Sequence, residues 1–400
     1  MTLTIRPLSG PDELISFERT RALAFGHPPR RSIKPGPTME LDRMHLAVDG
    51  DKVVGTTAAA GFELSLPGGS RTACGAIRWV STLPTHRRCG VLSAMIRHQL
   101  DEFRERGETV AVLWASLAPI YARYGFGLAT TSVDMTVAPH ASFLPDLLDH
   151  GPVSYVHGTA EDGHLTKTLA PAYDRLRSER PGLVDRNDAW WRHLTSDAAT
   201  QWVVHEGPDG IEGYLGYRPE PEGWTDDGPT HRLHVAELIA TTPRAELSLW
   251  HFALDFDLAS TVIAKRRPTD DALPWMLADP RQAQLKPRDG LWLRIVDLAA
   301  AMNARSLPWT GDTEIRIRVT DELCPWNAGT WSIGPNSCTR TPDTAHLTLD
   351  TADLAACFLG AARLPALTRA GRVTEHRHGA VRQLTRALGS CQAPWAVTWF

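Results

Sequence analysis

Several things that would identify the chain at once are missing from it. It has six cysteines in 400 residues, Cys74, Cys89, Cys324, Cys338, Cys357 and Cys391, and no C-x-x-C pair among them. That pattern excludes a disulfide scaffold and a cysteine-built zinc site, and it fits the reduced thiols of a cytoplasmic protein. No apolar run is long enough to span a bilayer. The opening residues Met1-Thr2-Leu3-Thr4-Ile5-Arg6-Pro7 have no apolar core, so they do not read as a signal peptide. There is no basic excess either: the formal net charge of -4 argues against general nucleic-acid binding. The G-x-S-x-G elbow, the H-E-x-x-H helix and the G-x-x-x-x-G-K-[ST] loop are all absent, which removes the commonest serine-hydrolase, zinc-peptidase and nucleotide-triphosphate signatures. His376 and His378 stand too close together on a turn to converge on one ion, so no metal is expected. Lys265-Arg266-Arg267 reads as a solvated strand end.

What is present is a turn between a strand and a helix. Ile77, Trp79 and Val80 are strand formers, and Pro84 offers no amide for a ladder bond. From Val91 the apolar residues Leu92, Met95, Ile96, Leu100 and Phe103 recur at helical spacing. Arg87-Arg88-Cys89-Gly90 therefore lies where a helix begins. Free amides and the helix dipole attract anions there, Gly90 lets the backbone come close, and the two arginines add charge-assisted bonds. The arrangement suits a pyrophosphate; the competing reading is an exposed basic turn that merely caps a helix.

Around this turn the pattern predicts a mixed α/β layer domain over residues 1–150. It contains a strand at 3–6, a helix at 11–25, strands at 44–48, 52–57, 59–66 and 71–82, a helix at 91–106, a strand at 109–115, a short helix at 118–124 and a final strand at 128–137. The order then repeats over 151–287. In this second copy Thr241-Thr242-Pro243-Arg244-Ala245 stands where the first has its arginine–glycine turn, with no glycine and one arginine, so it is expected to hold no cofactor. A third helix-and-sheet domain fills 288–400, with a strand at 291–295, a helix capped by Asp297 and an aromatic end, Trp395-Ala396-Val397-Thr398-Trp399-Phe400.

The first domain resembles an acetyl-CoA-dependent GNAT N-acetyltransferase, whose R/Q-x-x-G-x-G/A turn binds the pyrophosphate of coenzyme A. Here Leu92 stands in the last glycine position. The wider run Val80 to Leu92, the segment Ile120-Tyr121-Ala122-Arg123-Tyr124-Gly125-Phe126-Gly127, the segment Trp292 to Asp297 and the aromatic terminus resemble the Eis (enhanced intracellular survival) family along the whole chain. That resemblance implies an α/β (α+β) fold of two tandem GNAT-like mixed-sheet domains, the second without cofactor, followed by a sterol-carrier-like domain, assembled as a homo-hexamer. It implies that the backbone of Val80, Ser81 and Thr82 holds the acyl-CoA arm. Arg87, Arg88, Cys89, Gly90, Val91, Leu92 and Ser93 would wrap the pyrophosphate, and Ser116 and Leu117 would lie beside the thioester where two strands part. Tyr121 matches the family's general acid, and the carboxylate of Phe400 its general base.

The implied activity is acetyl transfer to a primary amine of a small molecule or a lysine side chain. A reading from another class is a carrier that holds lipid in the third domain and only senses acyl-CoA in the first. The loop Phe25-Gly26-His27-Pro28-Pro29-Arg30-Arg31-Ser32-Ile33-Lys34 is basic, and the penultimate residue is Trp399 where an acid would suit a polycation. Positive charge near the amine pocket argues against an aminoglycoside acceptor. Leu117-Ala118-Pro119 also replaces a more polar link ahead of Tyr121.

Overall fold

The computed structural model describes residues 2–30, 34–138, 141–225, 228–307, 314–335, 337–361 and 363–400. Arg31, Ser32 and Ile33 of the basic loop lie outside the described residues. The chain divides into two compact units: residues 1–130, 291–391 and 398–400 form one, and residues 131–290 and 392–397 the other.

The first unit is organised on strands β1 (Leu3–Pro7), β2 (Met44–Asp49), β3 (Lys52–Ser65), β4 (Arg71–Thr82) and β5 (Val110–Trp114). They pair in that order, β1 to β4 antiparallel and β4 with β5 parallel. The parallel step needs a crossover, supplied by the amphipathic helix α2 (Val91–Glu105), which buries Val91, Met95, Ile96, Leu100 and Phe103 on the sheet. The apolar period read from the sequence is thus the face that packs. Helix α1 (Leu14–Phe25) buries Leu14 and Phe17 with Met44, Leu46 and Ala58.

Three strand readings are corrected. Residues 52–57 and 59–66 are one strand, β3, because Ala58-Ala59-Ala60 continues the ladder without a turn. The strand read at 128–137 is broken: Gly127–Leu128 belongs to the first sheet, while Thr131–Val137 pairs in the second with Ala259–Pro268 and Ala283–Asp289. In exchange Leu291–Ile295, read as the start of the third domain, pairs antiparallel with β5 and completes the first sheet. Periodicity locates strands but carries no record of which sheet receives them.

The same unit includes a five-stranded sheet built from residues 315–375. Its helix Thr351–Phe358 is buried along nearly its whole length, and Asp297 caps the helix Leu298–Ala304 by accepting from the Ala300 amide at 2.9 Å. The second unit repeats the GNAT-like plan in a seven-stranded sheet, with the helices His164–Glu179 and Pro243–Leu254 packed on it.

Candidate active site

β4 and β5 pair in register from Cys74 and Val110 to Ile77 and Leu113, and then stop. The cause is local. Trp79 and Val80 together oppose the single residue Thr57, a bulge with Trp79 at φ 54° and its ring under the Arg78 guanidinium at 3.8 Å. Thr56 Oγ1 donates to the Trp79 carbonyl at 3.0 Å and lies 2.7 Å from Ser81 Oγ, which pins the bulge to β3. Beyond it β4 stays paired with β3 at Ser81 and Thr82 but turns a bare edge toward the end of β5. This is a parting of two strands just ahead of Ser116 and Leu117.

The edge opens into a cleft of about 510 Å³. Its walls include Val80, Ser81, Thr82, Arg87, Arg88, Gly90, Val91, Leu92, Ser93, Ser116, Leu117 and Tyr121. The sequence-predicted residues are therefore brought together, with two exceptions. Cys89 is exposed, its thiol turned to the Arg87 carbonyl at 3.4 Å, and is not among the lining residues. Phe400 is not among them either. Its ring lies 5.6 Å from that of Phe62 and 6.3 Å from that of Trp114.

The helix start is open. Gly90 is the N-cap of α2 at φ 82° and supplies no side-chain acceptor, so the first-turn amides of α2 have no capping group. A Cβ at Gly90 would meet nothing within 4 Å, so its backbone angle calls for glycine and crowding does not. Arg88 sits at φ 63°, a costly conformation for a side-chain-bearing residue, and Arg87 reaches back to the Ala24 carbonyl at 3.1 Å. Among the described residues the lining carries Arg87, Arg88, Arg123 and His86 and no carboxylate. Open amides, three guanidiniums and a bare strand edge fit the pyrophosphate and amide-rich arm of an acyl-CoA.

The corresponding turn of the second unit is closed by its own side chains. Thr242 Oγ1 accepts from the Ala245 amide at 3.2 Å and donates to Glu212 Oε2 at 2.8 Å. A carboxylate thus stands where the first unit presents arginines.

Tyr121 projects from the short helix α3 (Ala118–Ala122), started by Pro119. It is buried, 7% exposed, against Phe126, and burial with the neighbouring Tyr124 pushes its hydroxyl up to about 12. It is therefore fully protonated at neutral pH. Tyr124, which the sequence reading passed over, lines the same cleft and lies 3.0 Å from Ser93 Oγ, joining α3 to the first turn of α2. Phe25, the first residue of the basic loop, also lines it, as do Ala24, His86, Ile120 and Arg123, for which the sequence suggests no individual role.

The glycines after Tyr121 have a packing reason. A Cβ on Gly127 would lie 2.0 Å from the Ala352 carbonyl, and one on Gly125 would lie 2.7 Å from Thr351 and 2.9 Å from Arg294. The helix Thr351–Phe358 thus closes on the segment that carries Tyr121. Arg294 anchors this contact, donating to both Asp321 oxygens at 2.6 and 2.7 Å and to Thr351 Oγ1 at 2.7 Å, all buried. The end of the chain is held beside β5: Trp114 Nε1 donates to the Thr398 carbonyl at 3.2 Å, and the Trp399 ring lies 4.9 Å from Trp114.

Known proteins with these features were found along the whole chain. The acetyltransferase (GNAT) domain profiles match residues 4–129 and 182–295, and the sterol carrier protein domain profile matches residues 298–397. An uncharacterized N-acetyltransferase of Streptomyces avermitilis is 36% identical over 89% of each chain. The N-acetyltransferase Eis of Mycobacterium tuberculosis is 30% identical, over 85% of this chain and 84% of its own. The crystal structure of Eis1 from Mycobacterium abscessus superposes with a TM-score of 0.86 at 32% identity, covering all of both chains. With two GNAT domains, a sterol carrier domain and this likeness from end to end, the chain belongs to the Eis family of GNAT N-acetyltransferases.

Proposed function

We propose that the protein transfers the acetyl group of acetyl-CoA to a primary amine, with Tyr121 as general acid and the carboxylate of Phe400 as general base. The observation that carries this reading is the buried, protonated Tyr121 hydroxyl in the cleft whose other end is the open start of α2. Acetyl-CoA lies with its pyrophosphate on the amides of Val91, Leu92 and Ser93 and on Arg87 and Arg88. Its arm runs along the bare edge at Val80, Ser81 and Thr82, and its thioester lies beside Ser116 and Leu117. The Phe400 carboxylate takes a proton from the acceptor ammonium. The free amine attacks the thioester carbonyl, the C–S bond breaks, and Tyr121 gives its proton to the departing thiolate. The proton lost by the amine nitrogen restores Tyr121, and Phe400 releases the proton it took to solvent, so the products are the amide, the free thiol and one proton.

Two further features support the assignment of the chain end. Thr398, Trp399 and Phe400 are held by Trp114, three residues before Leu117, so the terminus is fixed near the end of the strand from which the cleft wall continues. Phe400 itself is buried, 9% exposed, with its ring packed against Phe62 and Trp114, so the last residue is held in place and does not fray. The acceptor we infer is a monoamine or a lysine side chain in preference to a polycation, because the described lining holds cations and no carboxylate. The family resemblance further suggests a homo-hexamer working in the cytoplasm, which the solution mass of the full chain tests.

The test is thiol release from acetyl-CoA across a panel of amines. Tyr121→Phe should lower kcat by roughly 10²- to 10⁴-fold, the usual contribution of a general acid, while leaving acetyl-CoA affinity close to that of the wild type. An unchanged kcat would remove Tyr121 from the chemistry.

A further inference from the structure

Outside the cleft, on the far part of α2, three metal-ligating side chains converge. His98 and Glu102 stand four residues apart on α2, one turn along the same face, and His45 reaches them from β2. One ligand atom from each lies within 4.8 Å of the others. We propose that His45, His98 and Glu102 form a binding site for one zinc ion, with water as the fourth ligand.

The spacing is that of ligands on a common ion and not that of hydrogen-bonded partners. His45 Nε2 and Glu102 Oε2 are 3.6 Å apart, too far for a hydrogen bond. Two ligands on a tetrahedral zinc with bonds of about 2.0–2.1 Å stand roughly 3.4 Å apart. The His45 and His98 rings meet edge to face, with centroids 4.6 Å apart. His98 is half-buried, so its ring has room to turn toward the ion that the proposal places between the three groups.

The groups are also held and unspent. Arg106 Nε donates to Glu102 Oε1 at 2.9 Å and fixes that carboxylate, while Oε2 is buried with no hydrogen-bond partner among the described residues. His45, which presents Nε2 toward that oxygen, is 4% exposed. Polar atoms left so are costly unless something joins them. The surrounding charge permits a cation: Arg43 is held by both oxygens of Glu108 at 2.7 Å, and Arg106 by Glu102 and Asp42, so the carboxylates exceed the guanidiniums. Two imidazoles with one carboxylate favour zinc over magnesium or calcium, which take oxygen ligands. A bound ion would tie α2, whose first turn walls the cleft, to β2.

The full-length protein, stripped with chelator, is titrated with zinc chloride against a chromophoric competitor, and its melting is followed. The wild type should take up one equivalent at sub-micromolar affinity and melt higher with zinc, since a ligand that binds only the folded state stabilises it. His98→Ala and Glu102→Gln should lose that equivalent and the shift, with His98→Gln used should His98→Ala not fold. His376→Ala, at the exposed pair, should keep both. Cobalt substituted for zinc should give the visible absorption of a tetrahedral site in the wild type and in His376→Ala, and not in the His98 or Glu102 variants. Failure of the wild type to bind one equivalent, or retention of it by His98→Ala or His98→Gln, overturns the proposal.

Discussion

Arg87 and Arg88 contribute more than charge. Arg87 is tied to the Ala24 carbonyl and Arg88 is held at a positive φ, so the turn is set before any ligand arrives. A hydrogen bond to a charged group is worth about 1.5–3 kcal/mol. Arg88→Ala should therefore raise the KM for acetyl-CoA roughly 10- to 100-fold with a smaller effect on kcat, measured by initial rates at saturating amine. At the other end of α2, His45 makes the fold acid-sensitive in metal-free protein. In the unfolded chain it takes a proton from about pH 6.5 and in the folded chain only near 4, facing His98, Glu102 and Arg106 from α2 and Asp42 and Arg43 from its own side. The unfolded state binds more protons between those values, so stability falls as pH drops from 6.5 to 4. Urea unfolding across that range should show the slope, and His45→Asn should flatten it.

At the scale of elements, the bulge in β4 and the packing of the helix Thr351–Phe358 on the Tyr121 segment decide the site. The turn after β4 was legible because its residues are chemically unusual: two arginines, a glycine and a change of apolar period. The bulge was not legible, because Trp79 at φ 54° is imposed by Thr56 and Arg78 and nothing in local propensity announces it. The glycines of the Tyr121 motif were legible as a family pattern, but their cause needs the facing helix. Gly127→Ala should clash with the Ala352 carbonyl and cost roughly 1–3 kcal/mol, typical of forced overpacking. Its melting temperature should drop, and its kcat should fall with it if the Tyr121 segment is displaced. Arg294→Met leaves Asp321 buried without its partner, a loss of about 3–5 kcal/mol when one member of a buried pair is removed. Denaturant unfolding checks it.

In the whole molecule, the two GNAT copies differ at the start of the helix that follows the meander. One helix start is open and cationic; the other is capped by Thr242 and shadowed by Glu212. The strand Leu291–Ile295 returns from beyond the second copy to complete the first sheet, and Arg294 on it holds the third part of the chain through Asp321. The fold class and the repeat could be read from the order of elements. The exchange of strands 131–137 and 291–295 could not, because each has the same alternating apolar character whichever sheet it joins. The last three residues belong to the unit that carries the cleft, as the proposed role of the terminal carboxylate requires. The most direct measurement adds a short glycine–serine extension beyond Phe400 and compares amine-dependent thiol release and acetyl-CoA binding with the wild type. Turnover should collapse with binding nearly intact; an extended protein that turns over normally would contradict the assignment of the terminal carboxylate as the base.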